Sequence, residues 1–95
     1  MKAGVRFEKV LKDRLSDPGQ AAKYLNACYE EGPDEFLQAL RDVVGAQGGM
    51  SRAARLAGLN RESLYRQLSR RGNPSLASLN AVLTALGLKL RSAAG

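Results

Sequence analysis

Between positions 60 and 71 the chain gathers side chains that form directional hydrogen bonds: Asn60, Arg61, Glu62, Ser63, Tyr65, Arg66, Gln67, Arg70 and Arg71. A guanidinium forks to phosphates and guanine edges, and Ser, Gln and Glu add shorter-range donors and acceptors. Such a set is suited to recognition rather than bond making. The chain has no histidine and one cysteine, Cys28, so a Ser-His or Cys-His nucleophile pair and the usual metal ligands have almost nothing to build on. The expectation is a protein that is not an enzyme and uses neither cofactor nor metal.

Charge points the same way. Residues 1–45 hold seven Lys/Arg and eight Asp/Glu, a sum of −1, whereas residues 46–95 hold eight Lys/Arg and the single acid Glu62, a sum of +7. The whole net charge of +6 therefore comes from the second half, where all the basic residues but Lys89 are arginine. A basic surface can serve solubility alone; arginines clustered around a reading segment suit a polyanion. No apolar run approaches the roughly 20 residues of a membrane span. Met1–Lys12 lacks the apolar stretch and cleavage site of a signal peptide, and one unpaired cysteine suits a reducing compartment, so the expected location is the cytoplasm.

The elements that must hold these residues are helices. Val5, Phe7, Val10 and Leu11 suit a short amphipathic helix or a packing arm. Ser16-Asp17-Pro18 is a helix start, followed by Ala21, Ala22, Tyr24, Leu25, Cys28 and Tyr29 at a 3–4 residue period up to Gly32-Pro33. Asp34 is expected to cap the next helix, with Phe36, Leu37, Leu40, Val43 and Val44 as its apolar stripe, ended by Gly48-Gly49. Further helices are expected near 51–57, 61–69 and 76–86. Leu88-Lys89-Leu90-Arg91 alternates apolar and basic residues and hints at a short strand, closing on its own body or pairing with its twin across a dimer axis. The organisation read from this pattern is a single domain over 1–95: N-terminal helices in 1–48, a two-helix unit in 50–69, and a third packing helix with the C-terminal segment in 75–95.

Residues 50–69 read as two short helices joined by a tight turn. Ala53, Ala54 and Ala57 allow close crossing, Gly58 tolerates the positive φ of the turn, Leu59 fills the gap beneath it, and Asn60 is placed to cap the second helix. Leu64 and Leu68 anchor that helix, leaving Arg61, Glu62, Ser63, Tyr65, Arg66 and Gln67 toward solvent. Arg61 and Arg66, about 7–8 Å apart along the axis, are expected to face a major groove together. Arg61 can fork to a guanine or pair with Glu62; Glu62 can accept from a cytosine amino group or orient an arginine. Tyr65 can reach a phosphate or pack on the third helix. Ser51 and Arg52, at a helix start with free N–H groups, would position rather than specify, and Arg70 and Arg71 would meet phosphates. Ser75 is expected to cap the last helix, and Cys28 to be a small buried apolar residue. Lys23 and Tyr24 with Glu30-Glu31 form either a partner surface or an ordinary solvated helix face.

The run MSRAARLAGLNRESLYRQLSRRGNPSLASLNAVLTALGLKL (residues 50–90) resembles the Cro/CI-type, Xre-like helix-turn-helix. More narrowly, AAKYLNACYEEG, FLQALRDVVGAQGGMS and GLNRESLYRQLS…GNPS resemble the HigA-like branch of addiction-module antidotes, over about residues 7–91. The resemblance implies an all-α, five- to six-helix domain of lambda-repressor-like type. It further implies a homodimer that binds double-stranded operator DNA, represses its own operon and silences a small RelE/HigB-like toxin. Two other readings remain: a free-standing phage-like repressor with no toxin partner, and a protein-interaction module in which DNA binding is secondary.

Overall fold

The structure, a computed structural model, describes residues 3–94, with side-chain environments from Glu8 to Ala94. It contains six helices: α1 (Ala3–Leu15), α2 (Pro18–Glu31), α3 (Pro33–Ala46), α4 (Met50–Ala57), α5 (Arg61–Gln67) and α6 (Leu76–Ala85). The expectation of an all-helical fold is met. The packing expected of Val5 and Phe7 lies outside the described side chains.

Local signals explain most boundaries. Asp17 sits in the extended region and its carboxylate accepts from the Gln20 amide at 2.9 Å, with Pro18 opening α2 where no N–H is needed. Asn60 caps α5 by accepting from the Ser63 amide (2.9 Å), and Ser75 caps α6 by accepting from the Ser78 amide (3.0 Å). The helix α3 departs from expectation. Asp34 does not cap it: Gly32 occupies the cap position and Pro33 the first turn, so Asp34 and Glu35 fall inside that turn. Their carboxylates there favour the positive end of the helix dipole without closing a cap bond. At the far end, α5 stops two residues early, where the Ser69 hydroxyl takes the Arg66 carbonyl at 2.7 Å.

Helices α1, α2 and α3 pack on one another, α6 packs on α4, α4 meets α3, and α5 rests on α4. One apolar cluster runs through all of these, from Leu15, Leu25, Leu40 and Val44 to Ala53, Ala54, Leu64, Leu68, Val82 and Leu86. The strand hinted at 88–91 does not close on the chain's own body. The Leu88 amide donates to the Leu83 carbonyl at 2.8 Å, so Leu88 tucks under the end of α6 at 9% exposure while Leu90 stays 52% exposed. No strand exists among the described residues to supply the opposite edge of a ladder.

The bend between α4 and α5 occupies residues 58–60. Gly58 is left-handed (φ +70°, ψ 32°), and the Leu59 amide reaches back to the Ala54 carbonyl at 2.9 Å, which closes the end of α4. A Cβ at Gly58 would meet nothing within 4 Å, so the constraint is torsional rather than steric. Gly45, inside α3, has equally open space but helical backbone. Alanine at the two positions therefore acts with opposite sign. Gly58→Ala is expected to destabilise by about 1 kcal/mol and Gly45→Ala to stabilise by about 0.5–1 kcal/mol, read from urea unfolding midpoints.

Candidate nucleic-acid interface

Leu64 and Leu68 are both 0% exposed and fix which side of α5 turns inward. At about 100° per residue, Arg66 lies opposite their bisector and Glu62 beside it, so these two centre the outward face. Tyr65 flanks them at 61% exposure, most of its surface open to solvent. Arg61 is exposed as well, but five residues from Arg66 is about 140° around the axis. The two arginines therefore do not share one face, as the spacing along the axis alone suggested: Arg66 leaves the middle of α5 and Arg61 its N-terminal end.

Other residues of the set are partly committed within the chain. The Gln67 side-chain amide donates to the Ser63 hydroxyl (3.1 Å), and its oxygen accepts from the Ser75 amide (3.3 Å), bracing α5 against the segment that starts α6. Asn60 spends its side-chain oxygen on the cap and keeps its NH2. At the start of α4, Ser51 is exposed, and Arg52 donates to the Gln47 carbonyl at 2.8 Å, closing the end of α3. Arg70 and Arg71 are exposed in the turn after α5. That turn is held by Gly72, whose amide donates to the Ser69 carbonyl at 2.8 Å; a Cβ there would collide with the Arg66 and Gln67 carbonyl oxygens.

Among the described residues the one ion pair is Lys9–Asp13, at 3.5 Å. Arg55, Arg61, Arg66, Arg70, Arg71 and Glu62 are thus exposed and without ionic partners, and the expected alternative of Glu62 orienting a neighbouring arginine is not realised. Arg55, in the last turn of α4, adds to the basic surface and was not singled out by the sequence, though its charge was in plain view. No group of three metal-ligating side chains occurs among the described residues, and no described helix is long and apolar enough to cross a membrane.

Over residues 6–94 the chain matches a family model described as "probable addiction module antidote protein". It belongs to that family. An uncharacterised protein of Haemophilus influenzae strain Rd is 39% identical to this antidote-family chain over 80 residues, covering 83% of this chain and 81% of the relative. No solved structure matches it.

The antidote-family chain carries a second polar surface, on α2 and α3, that its sequence only partly revealed. The Tyr24 hydroxyl donates to Asp42 at 2.8 Å, across eighteen positions of sequence. Tyr24 also lines a cleft of about 540 Å³, together with Cys28, Glu31, Asp34, Glu35, Gln38, Arg41 and Arg70. Cys28 is half-buried rather than buried as expected: it packs against the edge of the core and lines the cleft. Burial raises its thiol above the usual pKa, and Glu31, Asp42 and Glu35 add to the shift, which favours the protonated form. Burial also pushes the Tyr24 phenol far above its usual range, reinforced by the bond to Asp42. Native Tyr24 thus keeps its proton where the unfolded chain releases it, so this stabilisation is complete below about pH 10 and falls as the pH rises further. Tyr24→Phe should cost about 1 kcal/mol at neutral pH and flatten the loss of stability above pH 10, as followed by denaturant melts at a series of pH values.

Proposed function

We propose that this chain is the antidote of a toxin–antitoxin pair and also represses its own operon, binding operator DNA as a homodimer with α5 in the major groove. The observation that carries the DNA-binding part is the placement of Arg66 opposite Leu64 and Leu68, exposed, unpaired and beside Glu62. A short helix held on a partner helix by a three-residue turn, with base-reading side chains on its open face, has the geometry of a helix-turn-helix reader. Arg66 would read a guanine edge and Glu62 a cytosine amino group. Arg55, Arg61, Arg70 and Arg71 would hold phosphates, together with the free amides at the start of α4 near Ser51. Two half-sites would lie about 34 Å apart on one side of the duplex. Repression then follows from promoter occlusion, with no chemistry and no cofactor.

Family membership supports a toxin partner. The finer reading is a HigA-like antidote with a Cro/CI-type reader, whose partner is a RelE/HigB-like toxin. The carboxylates of Glu31, Asp34 and Glu35 favour a basic partner, and they keep alive the reading in which protein binding comes first and DNA binding second. Co-purification with the product of an adjacent small basic open reading frame supports the toxin partnership, and its absence favours a free-standing repressor.

Gel-shift titration on the DNA upstream of the gene tests the reader. Arg66→Ala should weaken operator binding by roughly 1–3 kcal/mol, and unchanged affinity removes Arg66 from the site. Arg70→Ala and Arg71→Ala should instead weaken binding to every sequence and reduce the slope of log K against log salt by about one each.

A further inference from the structure

The helix α5 has seven residues and rests chiefly on α4, a narrow footing for an element required to hold a fixed angle. Its last carbonyls have no partners within the helix and must find donors elsewhere. The Leu68 carbonyl, at the C-cap, finds one outside its own half of the chain: Arg41, on α3, donates to it through Nη1. The same guanidinium donates through Nη2 to Gln38 Oε1 at 2.7 Å. Gln38 in turn donates to Asp42 Oδ1 at 3.0 Å, and Asp42 Oδ2 accepts from the Tyr24 hydroxyl at 2.8 Å. An unbroken run of hydrogen bonds therefore leads from α2, across α3, to the end of α5.

We infer that Arg41 is a positioning residue: anchored by Gln38 and Asp42, it fixes the end of α5 and thereby the angle at which Glu62 and Arg66 are presented. The inference rests on the reading of α5 as the DNA-reading helix. Three features separate this role from that of one more phosphate contact. Arg41 is half-buried, its donors already meet two neutral acceptors, and it belongs to the N-terminal half, which carries no excess positive charge. A lysine has three donors but no planar fork, so it can hold either Leu68 or Gln38 well and not both in this geometry.

The test compares the full-length wild type with Arg41→Gln and Arg41→Lys. Amide hydrogen exchange of the free proteins is read residue by residue, and affinity is measured for upstream DNA and for a scrambled duplex across a salt series. With Arg41→Gln, exchange over residues 66–72 should accelerate roughly tenfold while α2 and α6 keep their protection. Upstream-DNA affinity should fall roughly tenfold, with scrambled-duplex affinity and the salt slope unchanged, and Arg41→Lys should fall in between. Equal losses on both duplexes with a slope smaller by about one would make Arg41 a phosphate contact and overturn the inference. Faster exchange in every helix, or no local change over 66–72, would overturn it equally. If the wild type binds neither DNA, the proposed repressor role falls while the exchange data still decide whether Arg41 holds α5.

Discussion

The outward face of α5 depends on two leucines one helical turn apart. Leu64 and Leu68 are removed from water completely, and in a seven-residue helix they leave no freedom in which side is turned away from the core. Burying two such side chains is worth about 3–6 kcal/mol, enough to impose order on a segment too short to be helical by itself in water. The buried Ala53 and Ala54 lie on the supporting helix, where small side chains let a neighbour come close. Replace either leucine with a polar residue and α5 loses both its footing and its orientation.

The two halves of the chain differ in charge yet share one core. The first three helices contribute Leu15, Leu25, Leu40, Val43 and Val44 to the cluster that also holds α4, α5 and α6. They also contribute a polar tie, Arg41 to Leu68, and are themselves joined where Gln47, at the C-cap of α3, donates to the Leu15 carbonyl at 3.3 Å. The N-terminal half thus acts as a frame for the basic half, and it meets that half again at the cleft where Glu31, Asp34 and Glu35 lie with Arg41 and Arg70.

Much of this was legible in the residues because it is written in local chemistry. Asp17-Pro18, Asn60 and Ser75 mark helix starts through bonds spanning three positions, and Gly58 marks the bend through a torsion angle that other residues resist. The inward leucines follow from the helical period. What escaped depends on distance in sequence or on rotation about an axis. Tyr24 with Asp42 and Arg41 with Leu68 join positions eighteen and twenty-seven apart, and nothing local announces them. Arg61 and Arg66 are close in axial rise, but the angle between them around α5 sets them on different faces. Asp34 looked like a cap, but a glycine-proline pair starts the helix first. The alternation at 88–91 had the rhythm of a strand, but within the chain Leu88 closes the end of α6 instead.

The uncompensated arginines set folding and recognition at odds over ionic strength. The second half of the chain carries a net +7, and dissolved ions shield repulsion among its charges, so added electrolyte makes the compact form of that half easier to maintain. Added electrolyte would also loosen the hold of those arginines on a polyanion, because each counterion released gains less entropy on entering a more concentrated solution. The conditions in which the molecule is most robust by itself are thus those in which these arginines would hold a polyanion least.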